Sequence, residues 1–344
     1  MFSPEQYRAI RQGAGLVNRS DRGRLRLTGP DRRDYLQGLL TNDIAALSAG
    51  SGCYACLLTA QGRMIADMHV IETGEAIVMD LERAVAARVG EHLEQFVFSE
   101  DVEIADVSAS IAQLGIFGPR ASAIVSQAVG VGDASEPLSP SDVEGLAVLG
   151  NRTRSWNGAP LLVVRRDDLG LGFDLLIGAE HQESLARVLR TAGAVDVESD
   201  VAEVCRIESG RPLFGTDMTE DTIPLEAGIE DRAISLTKGC YVGQEIIIRV
   251  LHRGHGRVAK RLVGLTLEAG APVPIRSAAI RVGDREIGAV TSAAFSPALE
   301  RPIALGYVHR DFVEPGTGVS VLVAGQLSPA VVTRLPFVGG LFGC

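Results

Sequence analysis

The alternation of apolar and polar positions predicts two similar α+β segments, one after the other. From residue 53 to about 106 the pattern indicates a strand, a hairpin, a helix and a strand, with Val85, Val89 and Leu93 on one helical face. A weaker copy follows, with a hairpin in PLLVVRRDDLGLGFDLLIG, a helix in EHQESLARVLRTAG and a short strand in AVDVES. Two such halves, packed together, leave a cleft that suits a small ligand.

After about residue 255 the helical periodicity disappears. Short apolar runs such as AKRLVGLTL and VSVLVAGQLSPAVVTRL, separated by Gly and Pro, predict a small barrel of strands. The predicted fold is therefore two related α+β domains of βαβ type, residues 1–110 and 111–254, followed by a C-terminal all-β barrel in residues 255–344. A capped helix is predicted at the start, with Ser3 as its N-cap.

Composition and charge narrow the class of protein. The chain has 344 residues, 46% of them hydrophobic, and a formal net charge of -10. Strong nucleic-acid binding is not expected from such an acidic chain, because it depends on neutralising phosphates with Lys and Arg. No signal pattern opens the sequence, and no apolar run is long enough to span a bilayer. We therefore expect a cytoplasmic protein without membrane contact.

The stretch TKGCYVGQEI places Cys240 in chemically unusual surroundings. Apolar residues from Val242 to Leu251 recur at helical spacing, which predicts a helix that begins just after the thiol. A helix N-terminus and the nearby Lys238 both favour a thiolate. The sequence thus predicts a reactive thiol at Cys240, and the alternative is that this side chain only packs.

No metal site is predicted. Cys53 and Cys56 have C-x-x-C spacing, but residues three apart on a strand point to opposite faces. His252 and His255 lie close to Cys240 in sequence, yet no fourth ligand is evident. The cysteines are expected to be free thiols, since they are odd in number and scattered through a chain without a secretion signal.

Several motifs together resemble one protein family. RIESGRPLFGTDMTEDTIPLEAG, KGCYVGQE and HRGHGRVAKRLVGL are similar to the YgfZ branch of the folate-binding family that also contains the glycine-cleavage T-protein, an aminomethyltransferase. The likeness extends nearly end to end, through LLTAQGRMIADMHV and VTSAAFSPALERPIALGYV. The K-G-C-Y-x-G-Q-E motif is the most specific element, because it resembles the YgfZ branch and not the T-protein.

The resemblance implies a cleft for tetrahydrofolate, or a one-carbon derivative of it, between the two α+β domains. It implies that Glu208 holds the pterin ring, whose adjacent N–H groups a carboxylate can accept side by side. Asp67 falls where the T-protein has an aspartate facing the reacting nitrogens, and Tyr54 falls where it has a tyrosine in the same pocket. The alternative for Asp67 and Tyr54 is that they are ordinary strand residues.

Two functions follow from the resemblance, and the sequence leaves open whether the protein is an enzyme. In the first, it is a YgfZ-like factor that supports assembly or repair of iron-sulfur enzymes, including enzymes that modify tRNA, with Cys240 and Lys238 as the working residues. Its partners would be iron-sulfur clients or assembly proteins. In the second, it transfers an aminomethyl or methyl group to tetrahydrofolate, with Asp67 stabilising the developing cationic nitrogen. The cysteine motif favours the first, and Asp67 favours the second. A folate-binding module without chemistry is a third alternative.

Overall fold

A computed structural model describes residues 2–130, 139–252 and 257–339. Ser3 caps the first helix as predicted, because its hydroxyl accepts a hydrogen bond from the backbone N–H of Gln6. The first section of the chain contains α1 Pro4–Gln12, β1 Gly15–Asn18, β2 Gly23–Thr28, α2 Arg32–Gln37, β3 Ser51–Leu58, β4 Met64–Glu72, β5 Ile77–Leu81, α3 Arg83–Glu94 and β6 Glu103–Asp106.

Five of these strands form the first sheet, in the order β3-β4-β5-β2-β6. Helices α2 and α3 cover one of its faces, where Leu36, Val89 and Leu93 pack against residues such as Leu57 and Met68. The strands alternate as the sequence pattern predicts, since β4 buries every second side chain under these helices. The opposite face is left for contacts with the rest of the molecule.

The second section repeats this arrangement. It contains β7 Ile111–Phe117, α4 Ala121–Gly130, α5 Pro140–Glu144, β8 Asn151–Trp156, β9 Ala159–Arg166, β10 Gly172–Gly178, α6 Gln182–Thr191 and β11 Val195–Val197, with a 3-10 turn at Ala179–His181. These strands and β1 form a six-stranded sheet in the order β11-β1-β7-β10-β9-β8. The order β8-β9-β10-β7 in this sheet matches β3-β4-β5-β2 in the first, so the predicted duplication is visible in the topology.

One detail differs from the sequence prediction. Strand β1 does not stay with the first sheet, because it pairs with β7 and β11 of the second, and the unit predicted as residues 1–110 therefore gives its N-terminal strand to its neighbour. The predicted βαβ arrangement is present in the first sheet, because β5 and β6 both pair antiparallel with β2 and so run parallel to each other, with α3 between them in the chain.

Four helices and a barrel complete the fold. They are α7 Ser199–Glu208, α8 Pro224–Ala227, α9 Glu230–Ala233, α10 Gln244–His252, β12 Lys260–Leu267, β13 Ala279–Val282, β14 Arg285–Ser296, β15 Arg301–His309, β16 Gly318–Val323 and β17 Gln326–Thr333, with a 3-10 turn at Arg310–Phe312. The last six strands close in the order β12-β15-β14-β13-β16-β17. The predicted fold class, two α+β domains followed by a β-barrel, is confirmed.

The faces of the two sheets that the helices leave uncovered meet in a shared core. Tyr54 and Cys56 of β3 belong to the same buried cluster as Leu162 and Val164 of β9. The segment from Phe214 to Tyr241 and α10 close this cluster from one side. Polar side chains on the same strand faces are therefore held at the junction of the two sheets.

Candidate functional site

A cavity of about 490 Å³ lies at this junction. Its walls come from the turn between β1 and β2, strands β3 and β4, the loop after β9, the start of α7 and the segment Arg211–Leu213. Because β4 buries Ala66 and Met68 under the helices, the intervening side chains of Asp67 and His69 face the cavity instead. Its volume is typical of small-ligand pockets, which span about 300 to 1,000 Å³.

Tyr54 and Asp67 form the central pair of this cavity. The β3–β4 register places Tyr54 opposite His69 and diagonal to Asp67, and the tyrosine Oη donates to the aspartate Oδ2 at 2.5 Å. Burial raises the pKa of Asp67, although this hydrogen bond acts in the opposite direction. Among the described residues, no cation lies within ion-pair distance of the Asp67 carboxylate. The carboxylate is therefore oriented by Tyr54 and left available to a ligand.

A charged network behind this pair joins the two sheets. Asp80 of β5 accepts hydrogen bonds from Arg22 Nε at 2.5 Å and from Arg166 Nη1 at 2.9 Å. Burial opposes the charge of Asp80, but Arg22, His69 and Arg166 outweigh it and hold the pKa well below its usual range. His69 Nδ1 lies 3.4 Å from Asp80 Oδ2, and burial, followed by the charge of Arg166, lowers its pKa to about 3. His69 is thus a neutral imidazole at neutral pH.

Arginines from separate parts of the chain line the cavity. Arg19 pairs with Asp168 at 2.7 Å, and Arg211 pairs with Asp167. The guanidinium carbon of Arg232 lies 5.0 Å from the centre of the Tyr54 ring. This stacking gives the cavity a cationic, planar edge, of the kind that suits a flat aromatic ligand with acidic substituents.

Glu208, which the resemblance places against the pterin ring, does not line this cavity. Its carboxylate is fully buried and accepts hydrogen bonds from Tyr7, Arg11 and Ser296, with Tyr7 Oη 2.9 Å from Oε2. These partners belong to α1 and to β14 of the barrel. All of its contacts in this structure are thus made within the protein, and a binding role for Glu208 stays a prediction.

Lys238 is turned inward, toward the first sheet. Its ammonium lies over the Tyr241 ring, 5.1 Å from the centre. Burial lowers its pKa to about 8. The ammonium donates hydrogen bonds at 2.6 to 2.9 Å to the backbone carbonyls of Gln37, Leu40 and Asn42. Its donors are therefore used to fasten the segment after α9 to the end of α2.

Cys240 is exposed, whereas Cys56 and Cys205 are buried and Cys53 is half-buried. Helix α10 begins at Gln244, later than the sequence predicts, so Cys240 lies in the turn before the helix. Neither Cys240 nor Lys238 lines the cavity that contains Asp67. The three residues predicted to be catalytic are thus not brought together, and a reactive thiol at Cys240 stays a prediction.

Residues 2–130, 139–252 and 257–339 contain no group of three or more His, Cys, Asp or Glu side chains arranged to hold a metal ion. His255, one of the candidate ligands considered in the sequence analysis, lies outside these ranges. Within the same part of the chain, we find no helix with the length and apolar character required to cross a membrane.

Sequence reasoning missed His69, Arg166 and Arg232. A signal for His69 was available, because it lies two residues after Asp67 on a strand and must share its face. The run RRDDLG, which contains Arg166, interrupts two apolar strands with four consecutive charges, and such a cluster beside buried strands is itself informative. Nothing in the sequence indicates that Arg232 stacks on Tyr54, since the two residues lie far apart in the chain.

Comparisons with known proteins agree with this architecture. The structure of the glycine cleavage system aminomethyltransferase T from Bartonella henselae matches with a TM-score of 0.84 and 23% identity, covering 97% of this chain and 89% of that one. This match supports the fold. Aminomethyltransferases from Streptomyces coelicolor and Synechococcus sp. (strain RCC307) are each 30% identical to the chain, covering 97% and 96% of it and 88% and 89% of their own lengths.

Family models cover most of the chain. The GCVT N-terminal domain matches residues 2–238, and the glycine cleavage T-protein C-terminal barrel domain matches residues 260–339. The two matched ranges correspond to the paired sheets and to the closed barrel, respectively. The protein therefore belongs to the glycine cleavage T-protein family.

Proposed function

We propose that this protein transfers an aminomethyl or methyl group to tetrahydrofolate, with Asp67 acting beside the reacting nitrogen. The observation that carries the proposal is the half-buried carboxylate of Asp67, oriented by Tyr54 and lacking an ion-pair partner among the described residues. The aminomethyltransferases of this family bind tetrahydrofolate. We therefore favour the transferase function, which was the second of the two expected from the sequence, over the iron-sulfur function.

The residues of the cavity fit such a ligand. Polar and charged side chains line the cavity, among them Asp67, His69 and Arg232, and these can bind a polar ligand. Tyr54 and Arg232 offer aromatic and cationic faces to a flat ring. Carboxylates suit the N–H donors of a pterin, and arginines suit the carboxylates of its glutamate.

The protein's own groups have defined tasks in this proposal. When bound, tetrahydrofolate supplies nitrogens that take up a one-carbon unit. Asp67 stabilises positive charge that develops at the nitrogen nearest to it, and the buried surroundings strengthen this interaction. Tyr54 holds the carboxylate in one orientation, and the network of Asp80, Arg22 and Arg166 keeps the strand beneath it rigid.

A reconstituted assay tests the proposal. The purified protein, mixed with an aminomethylated lipoyl carrier protein and tetrahydrofolate, is expected to release ammonia at about 1 per second or faster. The carrier is first validated with an established aminomethyltransferase. If that enzyme turns the carrier over and this protein gives no tetrahydrofolate-dependent ammonia, the proposal is contradicted.

A second candidate function rests on a different observation. Cys240 is the one exposed thiol among the cysteines that the structure describes, and it lies in the motif that resembles the YgfZ branch. This supports a YgfZ-like, folate-dependent factor whose thiol serves iron-sulfur enzymes, including enzymes that modify tRNA. The relatives named above are aminomethyltransferases and lend this candidate no support.

The two candidates predict opposite effects of Cys240→Ala. For an iron-sulfur factor, the substitution abolishes support of a client enzyme in cells, while Cys53→Ala does not. For a transferase acting through Asp67, Cys240→Ala is expected to leave the rate of ammonia release unchanged. Native iron-sulfur activity in cells that carry Cys240→Ala would therefore remove the second candidate.

A further inference from the structure

The turn after α2 connects strand β3 to helix α9. Asn42 lies in this turn, and its side-chain nitrogen donates hydrogen bonds to two backbone carbonyls, those of Tyr54 at 2.8 Å and Arg232 at 2.9 Å. A primary amide has two N–H groups on one nitrogen, so a single side chain can satisfy both oxygens. The amide oxygen accepts a hydrogen bond from the N–H of Asp43 at 2.9 Å, which fixes the orientation of the amide. Asn42 thus joins the two residues whose side chains stack in the cavity.

Neighbouring hydrogen bonds hold the backbone of this turn in place. Thr41 is fully buried, and its hydroxyl accepts a hydrogen bond from the N–H of Cys56 at 2.8 Å and donates one to the carbonyl of Ala233 at 2.6 Å. From the other side, the Lys238 ammonium donates to the backbone carbonyl of Asn42 at 2.9 Å. The Asn42 amide is therefore fixed between its two acceptors by contacts on both sides.

Arg232 and Asp67 line the same cavity, yet no ion pair joins them in the described structure. The Arg232 guanidinium carbon lies 5.0 Å from the centre of the Tyr54 ring, and the Tyr54 hydroxyl donates to Asp67 at 2.5 Å. Guanidinium and carboxylate groups that can reach each other pair readily, since the guanidinium donates two parallel hydrogen bonds. Whether Arg232 stacks on Tyr54 or pairs with Asp67 therefore depends on where its backbone is held.

We propose that Asn42 is a positioning residue of this site, because it holds Arg232 stacked on Tyr54 and so keeps the guanidinium away from Asp67. The proposal rests on the function proposed above, in which the charge of Asp67 must stay uncompensated to stabilise the reacting nitrogen. Without the Asn42 amide, Arg232 pairs with Asp67 and takes the place of the substrate nitrogen as partner of the carboxylate. Transfer then slows, although Asp67 and Tyr54 are both present.

Several elements contribute groups that can affect the charge of Asp67. Burial raises the pKa of Asp67 most, the hydrogen bond from Tyr54 and the charge of Arg22 lower it, and Glu82 raises it. Asn42→Ala leaves these side chains unchanged, so a fall in the Asp67 pKa in this variant indicates that the Arg232 guanidinium has moved to it. The titratable and charged groups that face Asp67 are Tyr54 and Cys56 of β3, His69 of β4, Arg22 before β2, Glu82 before α3 and Arg232 of α9.

Titration of the Asp67 carboxylate by carbon-13 NMR tests the proposal on the full-length protein without a ligand. The resonance of Asp67 is identified by its loss in Asp67→Asn. In Asn42→Ala, the pKa of Asp67 is expected to fall by about one unit or more, as for a carboxylate that gains an arginine partner. In the Arg232→Gln background, adding Asn42→Ala is expected to leave the Asp67 pKa unchanged, because the group that Asn42 positions is gone.

Asn151→Ala is the matched control, because the Asn151 amide also donates to two backbone carbonyls, those of Ser51 at 3.1 Å and Glu72 at 3.3 Å. Asn151 does not line the cavity that contains Asp67, so this control is expected to keep the wild-type pKa of Asp67. Asn42→Ser keeps one donor and is expected to give a smaller fall than Asn42→Ala. It carries the test if Asn42→Ala does not fold.

The outcomes separate this proposal from the proposed function. An Asp67 pKa that keeps its wild-type value in the Asn42 variants overturns the positioning role, as does a fall that persists in the Arg232→Gln background. Single-turnover transfer from an aminomethylated carrier to tetrahydrofolate is measured in parallel, and Asn42→Ala is expected to slow it about tenfold. A lowered pKa with an unchanged transfer rate also overturns the positioning role. If the wild type transfers nothing, the proposed function fails, while the NMR titration still decides whether Asn42 keeps Arg232 away from Asp67.

Discussion

The imidazole of His69 lies between the Tyr54 ring, 5.3 Å away between centres, and the Asp80 carboxylate. Burial lowers the pKa of this imidazole from 6.5 to about 3, so the folded protein keeps it neutral over a range in which the unfolded chain is protonated. Neutrality matters to the proposed chemistry, because a charged imidazole here would compete with the ligand for Asp67. Protonation of His69 therefore affects both the stability of the fold in acid and the proposed site.

The sign of the resulting pH dependence is fixed by linkage. Between pH 6.5 and 3 the unfolded state binds one proton more than the native state at His69, so stability falls as pH falls through this window. We expect His69→Gln to reduce the loss of unfolding free energy between pH 7 and pH 5 by about 2 kcal/mol. Urea denaturation at the two pH values measures this difference.

His92→Gln on α3 is the control for this prediction, because His92 lies outside the cavity and the network. Its pH dependence is expected to match that of the wild type. If His69→Gln and the wild type lose the same stability on acidification, His69 is not held neutral by the fold.

At the scale of elements, the ion pairs between strands fasten one sheet to the other. Arg166 at the end of β9 reaches Asp80 of β5 and also pairs with Asp174 of β10 at 3.2 Å. All three side chains are nearly inaccessible to solvent. Removing one member of a buried ion pair leaves an uncompensated charge, whereas an exposed pair contributes little.

Arg166→Leu is therefore expected to lower the free energy of unfolding by about 3 kcal/mol or more. Arg190→Leu, which removes exposed ion pairs to Glu183 and Asp196 on the surface of α6, is expected to cost less than about 1 kcal/mol. Chemical denaturation of both variants makes the comparison. Similar losses for the two would mean that the buried network does not hold the sheets together.

Most elements were predictable from local pattern, and their partners were not. Periodicity located α3, α6 and the strand pairs around them, because burial of one face requires it. Local pattern does not determine where α2 ends: the helix ends at Gln37, although Leu39 and Leu40 are still buried in the turn that follows. The pairing of β1 with β7 and β11 depends on contacts between distant segments, which alternation along one strand does not specify.

At the scale of the whole molecule, Glu208 joins three parts of the fold. Its carboxylate at the end of α7 accepts hydrogen bonds from Tyr7 and Arg11 of α1 and from Ser296 of the barrel. The backbone carbonyl of Glu208 also accepts a hydrogen bond from the N–H of Phe337 at 2.9 Å. The glutamate of the family motif RIESG thus connects α7 to α1 and to the barrel in this structure.

Glu208→Ala is expected to destabilise the protein by about 3 kcal/mol or more, because it leaves the buried Arg11 without its partner. The affinity of the remaining folded protein for tetrahydrofolate is expected to change by less than about threefold, which is below about 0.7 kcal/mol. Urea denaturation and calorimetry on the same preparation measure the two effects. A tenfold loss of affinity with unchanged stability would restore the binding role that the sequence suggested.

The whole-molecule prediction from sequence was right about the glycine cleavage T-protein family and the fold class, whereas the YgfZ branch is not confirmed and the description of the site was incomplete. Asp67 and Tyr54 lie in neighbouring strands of one hairpin, so register and alternation were enough to bring them together. Arg166 and Arg232 reach the same cavity from distant segments, through a sheet junction that no local pattern describes. A resemblance indicates which residues correspond to those of the family. It does not show which hydrogen bonds a side chain already makes within the protein, as Glu208 illustrates.

The central claim, that Asp67 acts in transfer to tetrahydrofolate, is tested most directly by Asp67→Asn in single-turnover transfer from an aminomethylated carrier. The substitution keeps the shape of the side chain and removes its charge. We expect the rate of transfer to fall by about 100-fold or more, as for loss of a group that acts on charge or protons in the transition state. Tetrahydrofolate affinity, measured in parallel, is expected to change by less than about threefold, or about 0.7 kcal/mol. A variant that binds tetrahydrofolate normally and transfers at the wild-type rate would contradict the account.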